Sequence, residues 1–452
     1  MLLSAKYIIP VVGDVIRGGA VLVKGNEIAD IGDFSSLTLR YPDEEVIDYG
    51  HAALMPGFVD LNTRMEMAAL RGVVADEPYA QWLLSSTRIT ERLEASEWLD
   101  SAMLGGLDAL SSGVTTVADI STTGAALKAA NDLGLRGIIY RLVGAMDKDR
   151  IDFAMESAES DIRSWRRAID TDRIQVGLSP ASIYVNHPEV FRAVSETATR
   201  ENLPVALRLA GSREEYNFVM YGSSMFSVDL KKEHLRGYVE IPPWLPFGVT
   251  PIRYALNWGA FDSPNVMVIY AVHVTDEDIN KLRDADVAIC LCPNMNAVLS
   301  MGMAPLSEYL KAGFRVGLGT GSPAATDSTD MFSEMRIGLL MNRARDTRNF
   351  LDSATMLELA TIGGAKALKM DDRIGSLEIG KLADIIAVDL SGSNQTVDHN
   401  PVSAVVNTCL RSDLMMTMVN GKILYEKNRW HVGTEISRNI ARVISIRAKL
   451  KS

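Results

Sequence analysis

The sequence contains few residues that could bind a metal ion or build a disulfide framework. Its 452 residues include only six histidines, and no two of them have His-x-His or i,i+4 spacing. The three cysteines, Cys290, Cys292 and Cys409, make no disulfide framework and favour a reducing, cytoplasmic location. Cys290 and Cys292 share one face of a predicted strand, where buried, unreactive cysteines are more common than a soft-metal site.

An excess of positive charge is also absent. The formal net charge is −11 and the isoelectric point is about 5.2. Because nucleic acids and anionic membranes attract positively charged surfaces, we expect neither as a partner. No apolar run reaches the ~18–20 residues of a membrane span, and the first residues lack the basic region of a secretory signal. The sequence therefore predicts neither a membrane protein nor an exported one.

Short apolar segments typical of buried strands recur through the middle of the chain. The strand candidates are 57–61, 114–120, 136–143, 174–180, 204–210, 266–272, 287–293 and 315–321. Helical patterns separate them, including 96–113, which predicts a helix ending at Gly113, and 353–368, which predicts a late helix with a glycine pair inside it. Eight buried strands alternating with helices indicate an α/β protein with a (β/α)₈ TIM barrel.

Both ends of the chain show the alternating pattern of short antiparallel strands. The first half of this pattern begins at Lys6–Pro10 and contains a tight turn at Gly25-Asn26. The second half covers 375–390 and 414–427, with a turn at Asn420-Gly421. These segments predict a small β-sandwich built from both termini. The predicted domains are 1–53 plus 372–430 for the sandwich, 54–371 for the barrel and 431–452 for a C-terminal helix.

The last residues predict an amphipathic helix. Ile436, Ile440 and Val443 fall on one face, and Thr434 is a suitable N-cap. We expect this face to dock on the barrel or on a neighbouring subunit. Recruitment of a partner protein is the alternative.

Five motifs in a particular order carry more specific information. They are MPGFVD (55–60), SSGVTTVAD (111–119), LCPNMNAVLSMGMAPLSEYLKAGFRVGLGTG (291–321), GGAKALKMDDRIGSLEIGKLADIIAVDL (363–390) and VNGKILYE (419–426). Together they resemble the amidohydrolase superfamily, specifically its deaminase and chlorohydrolase branch. The resemblance implies one divalent ion at the C-terminal mouth of the barrel, bound by four histidines and one aspartate. Such an ion turns its bound water into a nucleophile near neutral pH.

The residues at the positions of these ligands depart from the family pattern. They are Asn62 and Arg64 after strand 1, Arg208 in the strand 5 segment, Tyr270 at strand 6 and Gly321 after strand 8. In addition, Gly211 stands where the family has an acid/base glutamate. The resemblance therefore implies a divergent member whose metal ligands are replaced, and we expect neither a metal nor another cofactor.

The two arginines among these replacements need negatively charged partners, because a buried charge without a partner is unfavourable. We expect Arg64 and Arg208 to pair with Glu66, Asp327 or Asp330, or with an anionic small-molecule ligand, since a guanidinium matches carboxylate and phosphate groups. The alternative is that they fill the space left by the metal and are paired internally. Arg64, Arg208, Glu66 and Asp327 are the charged candidates for ligand binding.

Four other residues are candidates for the site. Trp244 and Phe247 belong to the segment EIPPWLPFGVTP (240–251), which predicts a loop over the mouth; the alternative is that they cap the barrel core. His273 and Tyr270 are the catalytic candidates for metal-free chemistry. A structural role for His273 is the competing interpretation.

Two functional hypotheses follow. The first is an amidohydrolase-like protein with a degenerate metal site, which lacks metal-dependent hydrolysis and serves in ligand binding or subunit support. The alternative is a hydrolase that acts on non-peptide C–N bonds, as a deaminase, or on C–halogen bonds of a small heterocyclic substrate. By analogy with the family, we expect a homo-oligomer, or a hetero-oligomer with an active relative.

Overall fold

The computed structural model describes residues 1–228, 247–395, 400–433 and 435–451. Within these ranges the strands are β1 (Leu2–Ile8), β2 (Ile16–Lys24), β3 (Glu27–Asp33), β4 (Val46–Asp48), β5 (Ala52–Pro56), β6 (Phe58–Asp60), β7 (Val114–Ser121), β8 (Arg136–Val143), β9 (Ile174–Pro180), β10 (Val205–Leu209), β11 (Val266–Tyr270), β12 (Ala288–Leu291), β13 (Arg315–Leu318), β14 (Ile385–Asp389), β15 (Leu414–Val419), β16 (Lys422–Glu426) and β17 (Arg429–Trp430). The α-helices are Phe34–Arg40, Tyr79–Thr90, Ala95–Leu110, Ala125–Leu133, Ile151–Ala168, Glu189–Glu201, Arg213–Tyr221, Pro251–Asn257, Asp276–Asp284, Pro293–Val298, Leu306–Lys311, Pro323–Thr326, Met331–Arg345, Ser353–Ala360, Ile362–Ala367, Pro401–Asn407 and Ile436–Lys451. A 3-10 segment, Met65–Leu70, follows β6.

The middle of the chain forms a parallel barrel. Strands β6 to β13 lie side by side in chain order in one eight-stranded sheet. The first and last strands meet where the Leu61 N–H donates to the Leu318 carbonyl at 2.9 Å. Apolar side chains from these strands are almost wholly buried, as expected when helices cover the outside of a parallel sheet. The predicted TIM barrel is confirmed, and β8 and β9 have the bounds that the sequence predicts.

Strands from both ends of the chain build a second sheet. Its order is β17-β16-β15-β14-β5-β1-β2-β3, with β4 beside β1. The hairpin between β15 and β16 turns at Asn420 and Gly421, whose φ angles of 53° and 75° are both positive. This conformation explains the Asn-Gly pair, because these two residues tolerate positive φ at little cost. The predicted sandwich is confirmed, although the strand predicted at Lys6–Pro10 begins earlier, at Leu2.

The second sheet joins the barrel through very short connections. Only Gly57 separates β5 from β6, and a Cβ at this position would lie 2.1 Å from Thr115 Cγ2. A buried ion pair spans the same junction: Arg136 Nε donates to Asp384 Oδ2 at 2.6 Å. The backbone N–H of Asn420 donates to the same carboxylate at 2.7 Å. The sheet and the barrel are therefore fixed to each other by buried polar contacts.

Two predicted helices differ from the structure. The pattern at 353–368 gives two helices, because Thr361 leaves the helical region at φ −130° and ψ −97°. The break lets the following helix approach the barrel closely, since a Cβ on Gly364 would lie 2.8 Å from Val59 Cβ. The other helix ends at Leu110 and not at Gly113, because β7 begins immediately afterwards at Val114.

The C-terminal helix, Ile436–Lys451, packs on the helix Ala95–Leu110. Its buried residues are Asn439, Val443, Ile446 and Leu450, whereas Ile440 is 43% exposed. Ile436 packs against the core and Val443 is buried, as predicted, whereas the prediction was wrong for Ile440; Asn439, whose Nδ2 donates to the Asp100 carbonyl, takes the buried position beside it. Thr434, the predicted N-cap, lies outside the described residues.

Candidate functional site

The residues at the family's metal positions meet at the carboxyl ends of the barrel strands. Asn62 and Arg64 follow β6, Arg208 lies in β10, Tyr270 ends β11 and Gly321 follows β13. The Gly321 N–H donates to the Asn62 carbonyl at 2.9 Å, and Asn62 Nδ2 donates to Cys292 Sγ at 3.6 Å. These contacts bring the residues that follow β6, β12 and β13 together.

Strained backbone conformations gather at this mouth. Arg64, Ala210, Tyr270 and Ala271 have φ angles of 50°, 52°, 82° and 44°, in the left-handed region that disfavours residues with a Cβ. Such conformations cost about 1–3 kcal/mol each and occur where the surrounding structure enforces them, often at functional sites. The surrounding structure therefore holds the backbone of the mouth in conformations that are unfavourable by themselves.

A cavity of about 430 Å³ opens at the mouth. Its charged lining residues are Arg64, Arg208 and Glu66. Its aromatic lining residues are Tyr79, Trp82, Trp98, Tyr184 and Tyr270. The remaining surface is largely aliphatic or hydroxylic, so the cavity combines a basic region with aromatic walls.

Arg64 and Arg208 have few partners. Arg64 Nη1 donates to the Ile120 carbonyl at 3.0 Å. Burial lowers the pKa of Arg64 and the positive charge of Arg208 lowers it further, whereas the charges of Asp119 and Glu66 oppose the shift. The Arg208 side chain forms no hydrogen bond or ion pair with any residue in the described ranges, and its buried Nε has no acceptor. Both guanidiniums therefore reach the cavity with most of their donors unused.

The carboxylates that were expected to neutralise these arginines have other partners. Glu66 accepts hydrogen bonds from the hydroxyls of Ser121 and Thr123 and from the N–H groups of Thr122 and Ala126. None of the described ion pairs joins Glu66 to either arginine. Its role is to hold the loop after β7.

The two aspartates proposed as partners also lie elsewhere. Asp327 is exposed and accepts from the Gly72 N–H at 2.8 Å. Asp330 caps the helix Met331–Arg345 by accepting from the N–H groups of Phe332 and Ser333. The expected pairing of these aspartates with the arginines was wrong, because Asp327 binds the N–H of the distant Gly72 and Asp330 caps its own helix.

The donor set at the mouth does not fit the divalent ion that the fold implies. Two of the positions carry guanidiniums, which are cationic and cannot ligate. Gly321 supplies no side chain, and Met295 occupies the space: a Cβ at Gly321 would lie 2.7 Å from Met295 Sδ. In the described ranges no group of three or more His, Cys, Asp or Glu side chains could hold a metal ion.

His273 and Tyr270 are held in structural contacts. His273 Nε2 lies 2.8 Å from the Met301 carbonyl, and burial lowers the pKa of its imidazole. It does not line the cavity. Tyr270 does line it, donates its hydroxyl to Met295 Sδ at 3.7 Å, and has a pKa raised by burial. Neither geometry presents a proton-transfer group to the cavity.

The two aromatic candidates from the predicted loop are absent from the described lining. Phe247 packs on Tyr254 with ring centroids 4.7 Å apart, as expected for a residue that caps the core. Trp244 lies outside the described residues. Apart from Tyr270, the aromatic walls come from residues that the sequence did not single out.

Those walls are built mainly from the segment after β6. Tyr79 and Trp82 project from the helix Tyr79–Thr90, and their rings stack with centroids 6.4 Å apart. The Tyr79 hydroxyl lies 2.9 Å from the Tyr184 hydroxyl, across the cavity wall. The i,i+3 spacing of Tyr79 and Trp82 was the available sequence signal.

Comparison with known proteins identifies the family. A model of the amidohydrolase family matches residues 53–424. The chain belongs to this family. A 5-methylthioadenosine/S-adenosylhomocysteine deaminase from Pelotomaculum thermopropionicum is 30% identical over 419 residues, covering 92% of this chain and 90% of that protein. The corresponding protein of Thermoanaerobacter pseudethanolicus is 28% identical, with coverage of 90% and 88%.

Solved structures with the same fold come from the deaminase and chlorohydrolase branch of the superfamily. An adenosine deaminase from Xanthomonas campestris with bound zinc superposes with a TM-score of 0.83 at 23% identity, covering 100% of this chain and 98% of that one. A zinc complex of atrazine chlorohydrolase from Arthrobacter aurescens gives a TM-score of 0.82 at 24% identity, covering 99% of both chains. These likenesses concern the fold.

The comparisons favour the alternative of our two functional hypotheses. The named relatives are deaminases, which are hydrolases, and nothing in their names supports a loss of catalysis. The case for a lost metal site depends instead on this chain's own residues at the mouth. Within the described ranges, no helix is long and apolar enough to cross a membrane.

Proposed function

We propose that this amidohydrolase-family protein binds a small heterocyclic ligand in its barrel mouth and does not hydrolyse it by the family's metal-dependent route. The observation that carries the proposal is the presence of Arg64 and Arg208 at two metal-ligand positions, where neither forms an ion pair with a carboxylate of the described residues. Long cationic side chains replace the imidazoles that the ion would need.

Electrostatic repulsion between the guanidiniums and a divalent ion supports the proposal. A divalent ion at about 5 Å from one guanidinium would be repelled by about 7 kcal/mol at an effective dielectric constant of about 20. Two guanidiniums add their repulsion, and the positions of Gly211 and Gly321 offer no carboxylate to offset it. The water-activating ion of the family therefore has neither ligands nor a favourable field at this site.

The cavity itself supports a retained binding role. A volume of about 430 Å³ is in the range of small-molecule pockets, and aromatic walls favour planar rings. The relatives named above act on purine nucleosides by name, so a heterocycle is the natural ligand class for a cavity at the same barrel mouth.

A deaminase or related hydrolase is the second candidate. The 30% identity with a named deaminase over nearly the full chain favours it. This candidate requires metal-free chemistry, or a metal held by residues outside the family's positions. Asp119 is the carboxyl candidate for such chemistry: burial raises its pKa to about 7, the charge of Arg64 opposes that shift, and only one of its oxygens has hydrogen-bond partners.

Other features of the biology remain proposals. Assembly into a homo-oligomer, or into a hetero-oligomer with an active relative, would give the protein a supporting role, and size measurement in solution with and without such a relative tests it. A cytoplasmic location is proposed from the three free cysteines.

Ammonia release separates the two functional candidates. The purified chain is incubated with 5′-methylthioadenosine, S-adenosylhomocysteine and adenosine, with and without added zinc, iron or manganese. The Pelotomaculum deaminase serves as the positive control. We expect no release above the protein-free rate under any condition; release that depends on added metal would overturn the first candidate and support the second.

A further inference from the structure

We propose that Arg64 and Arg208 form an anion clamp, so that the ligand is a planar aromatic or heterocyclic ring carrying a carboxylate or phosphate group. The inference rests on the proposed function, because it takes the mouth cavity as a ligand-binding site. It deepens that function by assigning the chemical class of the ligand to two named residues.

Unused hydrogen-bond donors are the first observation. A guanidinium has five N–H donors and no acceptor. The Arg208 side chain makes no hydrogen bond with the described part of the chain, and the Arg64 side chain makes one, to the Ile120 carbonyl. Carboxylate and phosphate oxygens match the planar fork of the guanidinium in pairs. The two side chains thus present unpaired donors to the same cavity.

The hydrogen-bond partners of the carboxyl groups near the mouth are the second observation. Glu66 is surrounded by four donors from the loop after β7. Glu215 accepts from the N–H groups of Ala210 and Gly211 with its two carboxylate oxygens. Asp119, whose charge acts on Arg64, accepts from the Thr63 hydroxyl and the Met65 N–H. These three carboxyl groups are held by hydroxyl and N–H donors of the protein, and none of them forms an ion pair with Arg64 or Arg208 in the described ranges. An anionic ligand would bind the guanidinium donors that they do not reach.

Aromatic walls around the basic region are the third observation. Tyr270 lies close enough to both arginines for their charges to act on its pKa, and Arg208 acts likewise on Tyr184 and Tyr79. A ring can therefore contact aromatic side chains while its acid group reaches the guanidiniums. The cavity of about 430 Å³ limits the ligand to a small molecule.

The test compares matched probes that differ in the acid group. Orotate and uracil form the carboxylate pair, and adenosine 5′-monophosphate and adenosine form the phosphate pair. Inorganic phosphate alone controls for simple ion binding. Dissociation constants are measured by calorimetry at fixed ionic strength on the wild-type chain and on Arg208→Met, Arg208→Lys and Arg253→Met. Arg253 is exposed and pairs with Glu277, so its variant is the control for loss of a surface charge.

In at least one pair we expect the acid to bind about tenfold or more tightly than its neutral partner, which corresponds to about 1.4 kcal/mol. Arg208→Met should remove this preference, Arg208→Lys should keep part of it, and Arg253→Met should leave it unchanged. The pair in which the preference occurs distinguishes a carboxylate ligand from a phosphate ligand.

Three results would overturn the clamp. They are equal binding of acids and neutral rings, binding of inorganic phosphate as tight as that of the ring acids, and absence of binding by every probe. Equal binding would leave the proposed function intact, because the cavity would still hold a ring. Conversely, metal-dependent ammonia release would overturn the proposed function without removing a measured acid preference, so the two failures are distinguishable.

Discussion

Met295 occupies the space beside Gly321: a Cβ built on Gly321 would lie 2.7 Å from the sulfur of Met295. The two residues are therefore complementary, since the small one makes room for the large one. An aspartate at position 321, as the family pattern requires, collides with this methionine. The loss of the metal site thus involves the packing of the mouth and not only the identity of the ligands.

Gly321→Asp should destabilise the protein. Overpacking typically costs about 1–3 kcal/mol, and here it adds to an unfavourable φ of 75°. Urea denaturation measures the loss in the free energy of unfolding. The double variant Gly321→Asp/Met295→Ser should recover part of the loss, because serine frees the space. Equal stabilities for the single variant and the wild type would contradict the packing relationship.

Replacing Arg208 by methionine should stabilise the ligand-free protein. The substitution removes a half-buried side chain whose Nε is buried without an acceptor, and we expect a gain of about 1 kcal/mol in the free energy of unfolding. Such gains at binding sites are commonly accompanied by lost function. Denaturant melts of Arg208→Met are compared with those of Arg253→Met, which should change little. A clear destabilisation specific to Arg208→Met would show that this guanidinium has internal partners.

The stability of the protein should fall as the pH rises toward neutrality. Burial raises the pKa of Asp119 from 3.8 to about 7, against the opposing effect of Arg64. Between these values the folded chain keeps a proton that the unfolded chain releases, so the free energy of unfolding decreases with increasing pH. Melting temperatures measured from pH 4 to pH 8 test this trend.

Asp119→Asn provides the matched variant for this pH dependence. Its amide oxygen can still accept from the Thr63 hydroxyl and the Met65 N–H, but the group cannot ionise. The decline in melting temperature should become shallower than in the wild type. Asp43→Asn, at an exposed carboxyl, serves as the control and should leave the slope unchanged. An unaltered slope in Asp119→Asn would mean that Asp119 is not the titrating group.

The junction between the second sheet and the barrel should depend on Arg136 and Asp384. Their ion pair is buried, with side chains 3% exposed on both sides. Asp384→Ala leaves a buried guanidinium without its partner and should cost about 3–5 kcal/mol. The double variant Arg136→Met/Asp384→Ala should cost less than the sum of the single variants. Additive losses in urea denaturation would contradict a direct pairing.

The strand pattern of the barrel could be predicted because it depends on local sequence. Parallel strands buried on both faces read as continuous apolar runs, and the segments at Arg136–Val143 and Ile174–Pro180 were predicted to the residue. The strand ends then determine which residues reach the mouth. The sequence alone was therefore sufficient to place Arg64 and Arg208 in one site.

The partners of those arginines could not be predicted from sequence. Glu66 is close in sequence to Arg64 but accepts hydrogen bonds from the N–H groups of Thr122 and Ala126. These donors reach Glu66 only in the folded chain, so the sequence alone does not identify them. The same applies to the aromatic walls, since Tyr79 meets Tyr184 only when the barrel has formed. The orientation of the C-terminal helix also depends on a distant contact, from Asn439 to Asp100.

Metal content tests the central claim most directly. Protein purified without an affinity tag or chelator is analysed by elemental mass spectrometry, then analysed again after dialysis against zinc, iron and manganese and removal of the excess. The account predicts far less than one equivalent per chain in every case, because Arg64 and Arg208 occupy ligand positions. Close to one equivalent of a single metal, retained after removal of the excess, would contradict it.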